Sequence, residues 1–152
     1  MTHTLSSDYI MTVRANLLVR PITPTLLVVE ITSGEVSGPK IKGRLIAPSG
    51  DWLRILPSGV GELDVRALIE TDDGALIYSS YKGVLKQTLD VQERLNAGEI
   101  LKGDDFYLVG APRYETAAPA YGWMNEIQAI GKMVEFQRGG DAHFTYDVFA
   151  IR

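Results

Sequence analysis

Hydrophobic and polar residues alternate regularly through residues 62–81, which form the most strongly patterned stretch of the chain. Two alternating runs flank Asp73-Gly74, and this arrangement predicts two antiparallel strands joined by a tight turn, because both residue types tolerate the positive φ angles that such turns require. A two-residue turn at this point would place Arg66 opposite Tyr81. The stretch is therefore predicted to be a β-hairpin around which the other strands assemble.

The predicted hairpin has one apolar face and one polar face, since successive side chains in a strand point to opposite sides. The polar face could be a solvated outer surface, the wall of a ligand cavity or a subunit interface. In the predicted register Arg66, with Asp64 on its own strand and Tyr81 across the ladder, could bind an anion or a carbonyl oxygen. The apolar face comprises Leu63, Val65, Ala67, Ile69, Leu76, Tyr78 and Ser80, and the polar face comprises Glu62, Asp64, Arg66, Glu70, Ser79 and Tyr81.

Short apolar or alternating runs recur along the rest of the chain between turns rich in glycine and proline. This spacing favours an all-β barrel or sandwich. Residues 88–98 differ, because their apolar positions have helical spacing and a threonine can cap the start, so one short helix is predicted. Residues 1–11 are expected to form a flexible tail and residues 12–152 a single domain. The other predicted strands are 12–20, 26–32, 41–47, 51–56, 105–111, 123–136 and 143–151.

Composition excludes several classes of function. The 152 residues include no cysteine and only two histidines, His3 and His143, so a zinc or iron site is not expected. A carboxylate site for magnesium or calcium stays open, but no loop has the regular acidic spacing, and no cofactor is expected. A net charge of −4 without a basic cluster argues against binding to nucleic acid. No apolar run approaches the roughly 20 residues of a membrane helix, and no signal peptide is evident, so a soluble cytoplasmic protein is expected. His143 is predicted to be exposed near a turn.

A second group of polar residues follows Pro112, which indicates a strand end or an edge. Arg113 and Glu115 would alternate onto one face of a strand. There the arginine could stabilise charge on a substrate oxygen while the carboxylate transfers a proton. The alternative is a structural ion pair that ties a loop to the barrel.

Two further positions have both a functional and a structural interpretation. Asp51-Trp52 could be an acid–base carboxylate beside an aromatic wall, or a turn aspartate followed by a core tryptophan. Asn125, on the same predicted strand face as Ile127, could bind a ligand carbonyl or a backbone group. The candidate catalytic residues are Asp51, Asp64, Arg66, Arg113 and Glu115, and the candidate ligand-binding residues are Trp52, Tyr81, Tyr114, Trp123 and Asn125.

Six segments spread over most of the chain form a set of motifs in a fixed order: Ser33–Gly43, Gly50–Trp52, Leu63–Arg66, Thr71–Tyr78, Ala111–Thr116 and Trp123–Asn125. Taken in this order, they resemble a bacterial family known as domain of unknown function 3237. The resemblance implies a closed antiparallel β-barrel of the calycin or allene-oxide-cyclase type, often assembled into oligomers. It implies no catalytic assignment.

We expect such a barrel to act on a small molecule. One hypothesis is an isomerase, cyclase or lyase without a cofactor, acting on an apolar carbonyl or aromatic substrate. A second is a non-catalytic barrel that binds a hydrophobic ligand, and a third is a structural homo-oligomer. The sequence itself does not decide whether the protein is an enzyme.

Overall fold

Antiparallel strands form most of the computed structural model, which describes residues 2–152. A short α-helix, α1, and a 3₁₀ helix interrupt them. The strands are β1 (Ser7–Thr23), β2 (Leu26–Ser37), β3 (Lys42–Ile55), β4 (Gly61–Thr71), β5 (Leu76–Lys86), β6 (Ile100–Lys102), β7 (Tyr107–Gly110), β8 (Arg113–Glu115), β9 (Ala129–Gln137) and β10 (His143–Ile151), with α1 at Leu89–Asn96 and the 3₁₀ helix at Pro119–Glu126.

Eight strands close into a barrel in the order β1-β2-β3-β4-β5-β7-β9-β10. β10 completes the ring because it pairs with β1 on one side and β9 on the other, as in the pairs Ser7–Ile151 and Gly131–Val148. The two shortest strands are additions to this ring, since β6 pairs only with β9 and β8 only with β5. The prediction of a closed all-β barrel with a short helix is confirmed, and closure leaves few unpaired strand edges.

The central hairpin is present, but its predicted register is wrong by one residue. Arg66 pairs with Ser80, and Tyr81 pairs with Val65. The turn contains a third residue, because Thr71 N donates to the Ala75 carbonyl and Gly74 has a φ of 89°, as in a turn followed by a glycine bulge. A shift of one residue exchanges the two faces of β5.

Two predicted strand boundaries also change in the first half of the chain. The predicted strands 41–47 and 51–56 are one strand, β3, with an irregular register between Ile46 and Gly50. β1 begins at Ser7, and Met11 is 1% exposed, so residues 7–11 are part of the barrel rather than a tail. Met1, which the predicted tail also includes, lies outside the described residues.

The predicted strand 123–136 is wrong in its first part. Residues 119–126 form the 3₁₀ helix, and β9 begins only at Ala129. Met124 is fully buried and packs into the main core. The Tyr121 hydroxyl donates to Asp73 Oδ1 at 2.9 Å, which ties the helix to the β4–β5 turn. The 3₁₀ helix is thus anchored beside one end of the barrel.

The two ends of the barrel differ in their filling. At the end nearest the β4–β5 turn, large apolar side chains such as Met11, Ile69 and Ile77 fill the interior. At the other end, α1 packs Val91 and Leu95 against a small separate cluster, and the interior there contains a cavity. This difference in filling leaves internal space for a ligand only at the second end.

Candidate functional site

The cavity inside the barrel has a volume of about 100 Å³ and a lining that is mostly apolar. Its walls come from the end of β1 and start of β2, the end of β3 and start of β4, and the end of β9 and start of β10. The cavity therefore lies toward the end of the barrel opposite the β4–β5 turn. Its principal wall residues are Ala15, Leu17, Leu27, Val29, Leu53, Leu63, Val65, Ala67, Leu85, Phe106, Leu108, Phe136, Phe144 and Tyr146, and its polar lining residues include Asp51, Tyr81, Gln87 and Arg138.

Asp51 places a carboxyl group on this apolar wall. It points inward because side chains alternate along β3, so that Asp51 and Leu53 face the interior on the same side as Leu45, and Trp52 faces the outside. Asp51 Oδ1 accepts a hydrogen bond of 2.9 Å from the backbone N–H of Asp64. Burial raises the pKa of Asp51 to about 6, the hydrogen bond from Asp64 N–H opposes this shift, and the Asp64 charge adds to it. The group can therefore hold or release a proton near neutral pH.

Two phenol groups share the cavity with this carboxyl group. Tyr81 and Tyr146 both line it, and their rings meet edge to face with centroids 6.4 Å apart. Burial raises the pKa of both hydroxyls. At Tyr81 the neighbouring Tyr146 adds to this shift, and the Asp51 charge adds a smaller contribution, whereas at Tyr146 the interaction with Tyr81 opposes the shift. Both phenols are therefore neutral hydrogen-bond donors over the physiological pH range, which makes them suitable partners for a carbonyl or enolate oxygen.

Two glycines on neighbouring strands make room for these rings. A Cβ atom at Gly110 would lie 2.7 Å from the Tyr81 ring, and one at Gly131 would lie 3.1 Å from the Tyr146 ring. The tyrosines can therefore lie directly against the backbone of the barrel wall. This packing limits the positions that the two hydroxyl groups can take.

An aromatic ladder connects the phenols with the part of the cavity that Arg138 lines. We use this name for Phe106, Phe136, Phe144, Tyr146 and Tyr81, whose successive ring centroids are 4.9–6.4 Å apart. All five rings line the cavity. Rings at these separations contact one another edge to face or tilted. A planar ligand could contact the same rings in either of these ways.

The first predicted polar group, around Asp64 and Arg66, faces outward. Both residues lie on the outer face of β4 and border a surface groove with Trp52, which is 45% exposed. Tyr81, by contrast, points into the barrel because of the corrected register. The predicted clamp of Arg66 and Tyr81 therefore does not form.

The second predicted group, around Arg113, anchors the 3₁₀ helix. The Arg113 guanidinium donates to the carbonyls of Ile127 at 3.0 Å and Asn125 at 3.2 Å. The Asn125 amide accepts from Thr116 N–H at 2.8 Å and donates to the Thr116 carbonyl at 3.0 Å. Glu115 is exposed and forms no ion pair among the residues described. Arg113 thus ties this loop to the 3₁₀ helix through backbone carbonyls, and the predicted ion pair with Glu115 does not form. The contacts of Asn125 are the backbone partners of its second interpretation.

Two aromatic candidates of the second group occupy different environments. Tyr114 is 4% exposed and faces inward, where burial raises the pKa of its hydroxyl and the neighbouring Tyr146 adds to this shift. Trp123 lies on the outside, with the Lys40 ammonium 5.6 Å from its ring centroid. Of the ten predicted site residues, the structure thus brings only Asp51, Tyr81 and Tyr114 into the interior.

His143 is buried, not exposed as predicted. It is 4% exposed, with Nε2 2.6 Å from Glu135 Oε1 and Nδ1 2.8 Å from the Asp141 carbonyl. Lys102 Nζ lies 2.5 Å from the other Glu135 oxygen. The histidine is thus part of a small polar cluster outside the cavity lining. Across residues 2–152, no group of three or more acidic or histidine side chains is arranged to hold a metal ion.

Sequence reasoning missed three residues that line the cavity, which are Gln87, Arg138 and Tyr146. The alternation in residues 143–151 contains the signal for Tyr146, since Phe144, Tyr146 and Val148 share one face. No comparable signal exists for Arg138, because it follows β9 in a glycine-rich turn. No helix in the described part of the chain is long and apolar enough to cross a membrane.

Comparison with known proteins identifies relatives of the same fold and unknown role. A UPF0311 protein of Rhodopseudomonas palustris is 30% identical over 136 residues, which cover 86% of this chain and 89% of the relative. A crystal structure of a conserved protein of unknown function from the same species is 26% identical, with a TM-score of 0.85 and coverage of 99% of this chain and 100% of the other.

More distant structures share the barrel. A β-barrel-like protein of Acinetobacter baumannii is 24% identical with a TM-score of 0.77, covering 100% of this chain and 99% of the other. An enzyme from Penicillium herquei is 15% identical with a TM-score of 0.67, and the match covers 100% of this chain and 98% of the other. Residues 4–151 match the family model described as "Protein of unknown function (DUF3237)". The chain therefore belongs to the DUF3237 family, as the sequence motifs predicted.

Proposed function

We propose that the interior cavity is a catalytic site for proton transfer on a small apolar carbonyl or aromatic substrate. The observation that carries this proposal is the position of Asp51, a single carboxyl group on an apolar cavity wall beside two phenols. Isomerisation, cyclisation and lyase reactions all require such a positioned acid or base together with a group that stabilises developing charge.

In this proposal Asp51 removes a proton from the carbon next to a carbonyl group, or returns one to it. The electron pair of the broken C–H bond moves onto the carbonyl oxygen and forms an enolate. Tyr81 and Tyr146 donate hydrogen bonds to this oxygen. If the substrate has a C=C bond next to the carbon that loses the proton, the enolate is conjugated, and return of the proton from Asp51 to the far carbon of that system completes an isomerisation. In a lyase reaction the electron pair of the enolate forms a C=C bond and expels a leaving group from the neighbouring carbon, and Asp51 gives its proton to that group. The pKa of Asp51 near 6 suits both directions of transfer at neutral pH.

In this proposal Asp51 keeps the acid–base role that the sequence suggested for it, and the two phenols take the role suggested for Arg66 and Arg113. Asp64, Arg66, Arg113 and Glu115 lie on the outer surface, so a substrate inside the barrel would not contact them. The exposed ring of Trp52 and the charges around it are a candidate surface for contact between subunits.

Solvent deuterium exchange tests the proposal with simple carbonyl compounds. We expect the protein to accelerate exchange of α-protons in single-ring ketones and enones, such as acetophenone and cyclohexenone, in D₂O followed by ¹H NMR. The variant Asp51→Asn should lower the rate at least about a hundredfold, because general acid–base groups contribute about 10²–10⁴-fold. Tyr81→Phe and Tyr146→Phe should each lower it about tenfold or more.

Asp104→Asn, which alters an exposed carboxyl group in a turn, is the matched control and should leave the rate unchanged. Exchange that persists in Asp51→Asn would contradict the proposal. Compounds that bind but do not exchange would instead favour the second candidate function, a non-catalytic barrel for hydrophobic ligands. The predominantly apolar lining of the cavity is the observation that favours this second candidate.

A further inference from the structure

One cationic side chain lines the cavity, and no carboxylate of the described chain neutralises it. Arg138 lies just after β9, is half-buried, and lines the cavity together with Gln87. Its guanidinium donates to Asn96 Oδ1 at 3.3 Å, and no aspartate or glutamate among residues 2–152 forms an ion pair with it. Burial lowers the pKa of this guanidinium, although it stays charged. A partly desolvated charge of this kind favours an anionic partner.

Other arginines of the chain do not share this situation. Arg44 and Arg94 each pair with a carboxylate, at 2.7 Å from Glu70 and 2.6 Å from Glu99. Arg14 forms no ion pair within the described chain, but it lies on the exposed outer face of β1, where water solvates it. Arg138 combines partial burial, an uncharged protein partner and a position on the wall of an apolar cavity.

The aromatic ladder limits the shape of the molecule that could supply the anion. It runs from Phe106 and Phe136, near the level of Arg138, to Tyr146 and Tyr81 beside Asp51. A flat ring or conjugated system can contact these rings by stacking or edge-to-face packing, which a branched aliphatic chain cannot do. The lining therefore favours an aromatic or conjugated ligand.

The volume of the cavity limits the size of that molecule. At about 100 Å³ it is smaller than the roughly 150 Å³ cavity that is known to admit benzene. The cavity can therefore hold no more than one ring, and the rest of the ligand must extend beyond it. If that ring lies beside the phenols, a head group that extends along the aromatic ladder comes to the level of Arg138 and Gln87 rather than that of Asp51.

We infer that the ligand is a small aromatic or conjugated carboxylic acid, with its ring against the aromatic ladder and its carboxylate on Arg138. The inference rests on the proposed function of the same cavity and specifies its substrate class. The carboxylate accepts two parallel hydrogen bonds from the guanidinium, a geometry that arginine provides and lysine does not. Asn96 of α1 holds the guanidinium at this position through its amide oxygen.

Binding of trans-cinnamate and of its uncharged analogue trans-cinnamamide tests this inference. We expect calorimetry at pH 7 to show that the wild-type protein binds the carboxylate at least about tenfold more tightly than the amide. Arg138→Gln removes the charge but retains a donor, and should reduce the preference to less than about twofold. Arg138→Lys, a second variant that preserves charge, should retain part of the preference. Arg14→Gln, on the outer face of β1, should behave as wild type.

The outcomes separate this inference from the proposed catalytic role. Equal affinity for cinnamate and cinnamamide, or a preference that survives in Arg138→Gln, would overturn the assignment of the head group while the cavity remains a binding site. Absence of binding for both compounds would overturn the inference together with the ligand site. Calorimetry reports binding alone and does not depend on catalysis. If the wild-type protein shows the carboxylate preference but does not accelerate deuterium exchange, only the proposed chemistry is overturned.

Discussion

At the scale of single residues, Asp51 occupies an environment that favours its neutral form. Its pKa is raised from 3.8 to about 6 by burial, so between these pH values the folded protein keeps a proton that the unfolded chain has lost. The contribution of Asp51 to the free energy of unfolding is therefore largest at low pH, and it falls as the pH rises from about 4 to about 6. Above about pH 6 the loss is complete and constant.

We predict that Asp51→Asn abolishes this particular pH dependence. Asparagine cannot ionise, and its Oδ1 can still accept the hydrogen bond from Asp64 N–H. The variant should therefore match the wild type near pH 4 and exceed its free energy of unfolding at pH 7 by up to about 3 kcal/mol, given 1.36 kcal/mol per pKa unit. Urea unfolding of both proteins at several pH values measures the difference. Asp104→Asn should show no such trend, and a constant difference for Asp51→Asn from pH 4 to 7 would contradict the buried position of the carboxyl group.

The sequence could predict that Asp51 is a candidate acid–base group, but it could not predict which residues surround that carboxyl group. An aspartate after a glycine turn is a recognisable candidate for acid–base work. Its neighbours Tyr81 and Tyr146 come from strands distant in the chain, and their proximity depends on strand register. A single sequence contains no direct measure of that register.

At the scale of elements, the 3₁₀ helix is the clearest departure from the predicted secondary structure. Residues 123–136 contain enough apolar residues for a strand, and the alternation in their second half is real, since β9 starts at Ala129. The first half turns into a helix because tertiary contacts decide its conformation. Met124 fills the core, and the Asn125 side chain replaces the ladder bonds that a strand would have formed with Thr116.

We predict that Asn125→Ala destabilises the protein by about 1–3 kcal/mol. The substitution removes both hydrogen bonds to Thr116, so the backbone N–H and carbonyl of Thr116, which are partly buried, lose these partners. A penalty of about 1–3 kcal/mol is typical for a buried polar group left without a partner. Urea unfolding at pH 7 gives the value. Glu115→Gln, at an exposed position at the end of β8, should change stability by less than about 0.5 kcal/mol. Similar values for the two variants would show that Asn125 does not anchor the helix.

The hairpin shows how a small local error alters a predicted site. Its two strands, its turn and the apolar face of β4 were predictable from alternation alone. The turn residues Asp72, Asp73 and Gly74 allow either a two-residue loop or a three-residue loop with a glycine bulge, and the contacts of Asp73 with Thr71 and Tyr121 favour the second. Because register decides which face each residue occupies, this one choice moves Tyr81 from the predicted polar face of the hairpin to the face that lines the cavity.

At the scale of the whole molecule, the closed barrel could be predicted and the location of its site could not. Strand number, turn spacing and the family motifs all indicate a barrel. Which end is filled depends on how side chains from eight strands pack together, and the charged groups that attract attention in the sequence lie outside. We therefore propose that the protein acts through its interior cavity and not through its polar outer face.

Filling the cavity tests that claim most directly. Ala67 lines the cavity and is 5% exposed, so Ala67→Leu should occupy space that a ligand ring needs while adding apolar contacts that preserve the fold. Ala117→Leu, at an exposed loop position, is the matched control. The measurement is the dissociation constant of trans-cinnamate for the two variants. We predict that affinity falls at least about tenfold in Ala67→Leu and is unchanged in Ala117→Leu, whereas wild-type affinity in a folded Ala67→Leu protein would contradict the claim.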